Sequence, residues 1–412
     1  MLYTNMLIEV LYILLLLSLL TVYAVRQSKK SSLSTKTYGL LFSAGWMIKC
    51  FGAILLSFLF QPFGDCYDYF QSGLSVIEAF EQDIQIGSQL FFLPNSYWSD
   101  ATVFHSEQIL KHIRGDFDSF SFAKLSAILT FIGAKNIYIT AGIFGTISHL
   151  ITFNYLIKYW SSGWTAKLSI FSFYTFPSLV LWSNGILKDT VAVWAGFFIL
   201  FSNNHYIRIL GCAILLLFKP YLLILGLIVY LLWKLFEFLQ ERGLKWYLSI
   251  FFICMTLALL NLILHFMPDH LSQYNLDNIA RYIYNIENWN TRPGQNSAFH
   301  FGLQAWTPIK MIYIAPISIF TTLFRPFLWE SKNFMMLIMS LESLLMLIAI
   351  SSLLYQKYFQ KLNWHLVLSI LLSYWLGITT FNFGALSRYK TILFLVLLFS
   401  ILAEIKKPNY QR

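Results

Sequence analysis

Long apolar runs recur along most of this 412-residue chain, and each is about as long as a membrane crossing requires. A spanning helix needs roughly 20 mostly apolar residues. Only 12% of the residues are charged, about half the share found in soluble domains. The candidate runs, some of them interrupted, lie at 7–25, 39–60, 137–158, 166–183, 189–203, 208–233, 247–266, 309–327, 333–354, 363–381 and 389–404. The sequence therefore predicts an all-α integral membrane protein with about ten or eleven hydrophobic helices in a single polytopic domain, 1–412.

Basic residues in the short loops predict the orientation. Loops 26–37, 234–245 and 357–361 are rich in Lys and Arg, and so is the C-terminal end. Cytoplasmic loops collect Lys and Arg, so we expect these segments and the C-terminus in the cytoplasm of a bacterial inner membrane. The N-terminus and the long loops 61–120 and 267–308 are then extracytoplasmic. The N-terminal run lacks the basic start of a cleavable signal and is expected to be retained as a span.

Two runs contain prolines that a regular helix does not accommodate. Lys219-Pro220 interrupts run 208–233, because proline removes a backbone hydrogen bond and clashes with the preceding turn. We expect two short helices there. Run 309–327 contains Pro316 and ends at Arg325-Pro326. It is predicted to be re-entrant, which is allowed where the backbone is buried in protein.

The loop 61–120 holds nine of the 19 carboxylates of the chain. Leu74 to Phe80 is predicted to form a turn or two of helix. Glu107 to Ile113 is expected to belong to helices that lie on the membrane surface. Asn95 interrupts the pattern between them. At the start of the loop, Asp65 and Asp68 lie three residues apart in QPFGDCYDYFQSG. If the backbone is helical there, they share one face.

Two neighbouring carboxylates can act as a catalytic base or hold a divalent cation. The alternative for Asp65 and Asp68 is a helix cap without chemistry. No metal site built on sulfur is expected from the four cysteines. Tyr67 and Tyr69 are expected in the interfacial aromatic belt.

Charged residues within apolar surroundings form the second candidate set. Each costs about 2.5–3.5 kcal/mol at mid-membrane on insertion scales, so each should have a partner or a function. Arginine and lysine near the outer leaflet are suited to a lipid phosphate. Alternatively, Lys188 pairs with Asp189, Arg325 pairs with Glu330, and Lys219 extends to the interface. The members are Lys188, Asp189, Lys219, Arg325, Glu330, Arg388 and Lys390.

Other residues give weaker signals. His300, in QNSAFHFGLQAW, is a candidate acid or base. Tyr284, Trp289 and Trp306 are suited to stack on sugars or to lie in the aromatic belt. Phosphate loops, dinucleotide fingerprints, HExxH and nucleophile elbows are absent from the sequence. No basic face with interleaved aromatics occurs outside the runs, so nucleic-acid binding is not expected.

The chain resembles the GT-C superfamily of multi-spanning glycosyltransferases. The resemblance is carried by GDCYDYF, PSLVLWSNGILKD, TTLFRPFLWE and NFGALSRYK. It implies transfer of a sugar, with inversion, from a polyprenyl-phosphate carrier to a glycan or lipid acceptor on the extracytoplasmic face. Asp65 or Asp68 would then be the base, and the late Arg and Lys residues would hold the donor phosphate.

The sequence departs from the GT-C pattern in two respects. An extra span precedes the acidic loop, and a large soluble C-terminal domain is missing. Polysaccharide polymerases and ligases of the O-antigen type are therefore an alternative. A transporter for lipids or anions, or a structural subunit of a membrane complex, would also fit the layout.

Overall fold

The computed structural model describes residues 17–29, 33–62, 64–92, 99–110, 117–245, 247–248, 250, 255, 276–292, 297–303, 306–355 and 363–406. Within these ranges the regular structure is helical, with one isolated β-bridge between Ala298 and Asn382. Helices of membrane-spanning length and composition are among them. The prediction of an all-α membrane protein is confirmed. The chain divides into two compact units, Met1–Lys219 and Pro220–Arg412. The single polytopic domain stays a prediction.

The first unit contains helical residues 17–28 and a series of named helices. These are α1 (Thr35–Leu59), α2 (Asp65–Gln82), α3 (Ile84–Phe92), α4 (Asp100–Leu110), α5 (Phe117–Ile132), α6 (Ile137–Leu156), α7 (Trp164–Thr175), α8 (Pro177–Trp182), α9 (Lys188–Phe201) and α10 (His205–Phe218). Side-chain caps start several of them: Ser34 accepts from the Thr37 N–H, and Asn136 accepts from the Tyr138 and Ile139 N–H groups. These caps satisfy amides that have no partner within the helix.

Helix α1 is the framework of the first unit. Its 25 residues extend for roughly 37 Å at 1.5 Å per residue, more than the hydrocarbon thickness of a bilayer. It packs along α6 and against α8. At Gly52 the helices meet backbone to backbone, because an added Cβ would lie 2.1 Å from the Val180 carbonyl oxygen. Glycine at this position permits the close approach of α1 and α8.

The second unit contains a further series of helices, some of them very short. These are α11 (Pro220–Glu241), α12 (Leu276–Asn290), α13 (Pro308–Tyr313), α14 (Ala315–Phe324), α15 (Phe334–Tyr355), α16 (Trp364–Thr379) and α17 (Phe383–Lys406). Helix α14 packs against α16, and α16 packs against α17. Together with α1 and α6, helices α11, α15 and α17 are long and apolar enough to cross a membrane.

Several predicted helix boundaries need correction. Loop residues 65–82 form an 18-residue helix, α2, rather than the predicted turn or two. Run 166–183 is not one span, because α7 ends at Thr175 and α8 begins at Pro177. Proline tolerates the first helical position but interrupts a continuing helix. Three predicted features lie outside the described residues: Asn95, the first part of run 7–25, and run 247–266 except for residues 247, 248, 250 and 255.

The predicted break at Lys219-Pro220 is confirmed, since α10 ends at Phe218 and α11 begins at Pro220. The prediction of two short helices is wrong for the second one: α11 has 22 residues and the length of a full crossing. Run 309–327 is divided into α13 and α14, which have six and ten residues. Neither is long enough to cross a bilayer alone. A re-entrant path for this run stays a prediction.

Candidate functional site

Asp65 and Asp68 lie in the first turn of α2, directly after α1 has ended. The chain turns at Gly64, whose φ of 124° lies in the region that favours glycine. Asp65 is exposed and Asp68 is half-buried. The helical spacing that places both carboxylates on one face is therefore present. The result is an acidic turn, residues 64–68, reached by water from one side.

The acidic turn packs against residues 183–189, called here the SNGILKD segment. Next to the turn, the ring of Phe60 lies 5.4 Å from that of Trp182, the residue preceding the segment. Within the turn, the Sγ of Cys66 would lie 3.8 Å from a Cβ placed on Gly185. Cys66 is buried, and its Sγ lies 3.4 Å from Oγ of Ser57. The two stretches, far apart in sequence, thus form one surface of the first unit.

Lys188 is held by residues that sequence reasoning did not select. Its Nζ lies 2.7 Å from Oδ2 of Asp118 and donates to Oγ of Ser119 at 2.9 Å. The hydroxyl of buried Tyr69 lies 3.5 Å from the same Ser119 Oγ. The predicted pairing of Lys188 with Asp189 is wrong. Tyr69 does not lie in an exposed aromatic belt, because it is 6% exposed and packs inside the unit.

Asp189 pairs instead with Lys219. The Lys219 Nζ lies 3.0 Å from Oδ1 of Asp189, and the two side chains are 7% and 2% exposed. Lys219 therefore does not extend to the interface. Lys219 directly follows α10 and precedes Pro220. Its ion pair connects this interruption between α10 and α11 to the first turn of α9. A buried ion pair of this kind fixes geometry, since removing either partner leaves an uncompensated charge.

In the second unit, Arg325 ends α14 and pairs with Glu330, as one of the two sequence readings predicted. Its Nε and Nη2 groups donate to the carboxylate. Its guanidinium carbon lies 5.2 Å from the ring centroids of Phe299 and Phe383. Within the described part of the chain, Nη1 of Arg325 donates to no protein acceptor. These contacts hold the guanidinium in place.

The electrostatics of Glu330 follow from this contact. Partial burial alone would raise the pKa of Glu330, but hydrogen bonds from Arg325 and from the Phe327 N–H outweigh it and lower the pKa. Glu330 is therefore ionised near neutral pH and compensates the charge of Arg325.

Lys390 is buried next to the same break. Its Nζ donates to the Arg325 carbonyl oxygen at 2.7 Å and to Oγ of Ser343 at 3.4 Å. It also interacts electrostatically with buried Glu342. Arg388 is half-buried, and its guanidinium carbon lies 6.0 Å from the ring of the adjacent Tyr389. Lys390 thus supports the backbone at Arg325.

The remaining candidates of the second unit separate into buried and exposed groups. Trp306 is buried and donates from Nε1 to Oε2 of Glu287 at 2.5 Å, so it lies neither on an open sugar platform nor in the aromatic belt. Trp289 is 61% exposed, and Arg292 stacks on its ring at 4.0 Å. Tyr284 is 39% exposed. His300 is exposed. Glu287 was not selected from the sequence.

The described structure therefore assembles two sets of predicted residues, one in each unit. The first unit joins the acidic turn to Lys188, Asp189 and Lys219, and adds Asp118, Ser119 and Tyr69. One sequence signal could have indicated Asp118: it is an acid at the start of the apolar stretch of α5, in the same loop as Asp65. Among the described residues, no group of three or more His, Cys, Asp or Glu side chains has the arrangement of a metal site.

Comparison of the chain with protein-family models, with curated proteins and with solved structures finds no match.

Proposed function

We propose that this protein is a membrane glycosyltransferase that uses a polyprenyl-phosphate-linked sugar as donor. The observation that carries the proposal is the acidic turn at the end of span α1, packed against the buried, charged SNGILKD segment. Carboxylates open to water beside charges embedded in a helical bundle are the groups that a transfer from lipid to a hydroxyl acceptor requires. The resemblance to GT-C enzymes supports the same reaction.

In the proposed reaction Asp65 or Asp68 removes the proton from an acceptor hydroxyl. The acceptor oxygen forms a bond to the anomeric carbon of the donor, and the bond from that carbon to the phosphate oxygen breaks, with inversion. The lipid phosphate leaves as an anion and needs cationic donors. Lys188, beside the acidic turn in the first unit, is the cation proposed for this role. In the second unit, taken by itself, Arg325 and Arg388 are candidates to bind an anionic lipid. A divalent cation is compatible with the two aspartates, and the reaction as written does not require one.

The acceptor in this proposal is a glycan or another lipid-linked molecule on the extracytoplasmic face of a bacterial inner membrane. The N-terminus is extracytoplasmic and the C-terminus cytoplasmic, because the basic loops 26–37 and 357–361 are placed inside. Loop 61–120, with α2 to α4, then lies outside, where carrier-linked sugars are presented.

The test measures sugar transfer in membranes that are supplied with lipid-linked donors whose sugar is radiolabelled. The double variant Asp65→Asn/Asp68→Asn should abolish transfer while inserting in normal amounts. Asp100→Asn is the matched control, because Asp100 is also an exposed acid in the first turn of a helix of the same loop. Full activity in the double variant would refute the assignment. Release of a polymer rather than a singly modified acceptor would favour the polymerase or ligase alternative.

One observation favours a second candidate, a transporter for an anionic lipid. Both Lys219-Pro220 and Arg325-Pro326 place a paired basic residue at the end of a short helix, followed by proline. Broken helices in corresponding positions are typical of transporter binding sites. Movement of a fluorescent lipid phosphate across proteoliposomes without any sugar transfer would identify this activity.

A further inference from the structure

Lys49 is a buried lysine of a membrane span that the proposed reaction does not use. It lies in the middle of span α1 and is 0% exposed. Within the described part of the first unit, no carboxylate pairs with it. Its Nζ lies 4.6 Å from the ring centroid of Phe173 and 5.2 Å from that of Tyr174. A lysine amine inside a span is costly unless polar partners hold it, so its contacts indicate its role.

Among the described residues, Lys49 forms a hydrogen bond to the SNGILKD segment. Nζ donates to Oγ of Ser183 at 3.2 Å. Ser183 ends α8, and its hydroxyl in turn donates to the Leu179 carbonyl oxygen. Lys49 therefore links the spanning helix α1 to the residue at which the segment leaves α8.

The rest of the segment is held from the same inner side. Ser148 of α6 donates to the Ser183 carbonyl oxygen at 3.1 Å and accepts from Nε1 of Trp194 at 2.7 Å. Thr190 donates to the Gly185 carbonyl oxygen at 2.8 Å. Buried polar groups thus hold the first part of the segment. At its other end, Lys188 contacts Asp118 and Ser119.

We propose that Lys49 is a positioning residue that fixes the SNGILKD segment, and through it Lys188, beside the acidic turn. The proposal rests on the proposed function for its effect on transfer, but the positioning itself can be measured without any catalytic assay. A lysine needed only to fill space would be replaceable by methionine, which has a similar length and no charge.

Cys66 is a native probe of this contact. It is 2% exposed and packs beside Gly185 of the segment. If Lys49 positions the segment, Lys49→Met will loosen it and expose Cys66 to alkylation. The labelling rate of a buried thiol reports local opening. We expect labelling by N-ethylmaleimide, read peptide by peptide with mass spectrometry, to become at least about fivefold faster.

The experiment uses the full chain in membranes. Lys49→Met and the milder Ser183→Ala, which removes the acceptor, should both accelerate Cys66 labelling. Lys135→Met is the control, because Lys135 is an exposed lysine of the same unit whose Nζ contacts Glu81. It should leave the rate unchanged. If Lys49→Met fails to insert, Ser183→Ala decides the result.

Transfer measurements separate the two proposals. Lys49→Met should reduce transfer in the wild-type background and have no additional effect in Lys188→Met, because both changes act through the same group. Additive losses, or unchanged Cys66 labelling in both variants, would overturn the positioning role. Faster labelling in a protein whose wild type transfers no sugar would support the positioning role and reject the glycosyltransferase.

Discussion

Charged side chains inside the described bundle form ion pairs. The sequence predicts such a pair only when its two residues are close together in the chain. Arg325 and Glu330 are five residues apart, and their pairing was one of the two sequence readings. Lys188 and Asp118 are 70 residues apart, and their pairing was missed. The long-range pair depends on how α5 packs in the first unit, which no local pattern encodes. The same holds for Asp189 and Lys219, which the fold brings together across the length of α9 and α10.

The Arg325–Glu330 contact predicts a pH dependence of stability. The pKa of Glu330 is lowered on folding, from an ordinary value of 4.5. Its stabilising contribution is therefore fully present above that value and is lost as the pH falls through the lower pKa of the folded state. We expect the thermal midpoint of the solubilised protein to fall between about pH 5 and pH 3. The Glu330→Gln variant should lack this part of the decrease, and identical pH profiles would contradict the assignment.

At the scale of helices, the interruptions that the sequence could predict are those at proline. Pro220 determines where α11 begins, because it lacks the N–H that a continuous helix needs. The extent of α2 was missed, since its sequence contains glycine, serine and acids and has no long apolar run. Its residues Phe70, Val76 and Ile77 are buried, so tertiary packing stabilises this helix rather than local propensity.

The Asp189–Lys219 pair links α9 to the end of α10 and should be a determinant of stability. Lys219→Met leaves the buried Asp189 carboxylate uncompensated and is expected to cost about 3–5 kcal/mol of unfolding free energy. The double variant Lys219→Met/Asp189→Asn removes both charges and should recover most of that loss. Unfolding in mixed micelles, analysed as a double-mutant cycle, measures the coupling. Simple additivity of the two single changes would show that the pair is not an interacting unit.

The contact of α1 with α8 predicts a strong effect of a single methyl group. Gly52→Ala would place a Cβ 2.1 Å from the Val180 carbonyl oxygen, so the helices must separate. Gly39→Ala is the matched control in the same helix, because nothing lies within 4 Å of its added Cβ. We expect a lower thermal midpoint for Gly52→Ala. Gly39→Ala should be neutral or slightly stabilising, since alanine favours helix over glycine by about 1 kcal/mol. Equal midpoints for the two variants would contradict the contact.

At the scale of the whole molecule, the helical membrane class followed from the apolar runs, whereas orientation rests on loop charges alone. Single cysteines can test the orientation of α1. Lys36→Cys and Gln82→Cys replace exposed residues in the first turn of α1 and at the end of α2. A membrane-impermeant maleimide applied to intact cells should label Gln82→Cys, and Lys36→Cys only after the membrane is opened. The reverse pattern would place loop 61–120 in the cytoplasm and remove the basis for an extracytoplasmic reaction.

The missing side chain at Gly52 has a mechanical consequence. Where two backbones touch, no side chains separate them. A tilt of α1 is therefore transmitted to α8, the short helix that precedes Ser183. Bilayer thickness sets such a tilt. The lipid composition around this protein should therefore act as a control on the alignment of its charged surface, without any ligand binding to it.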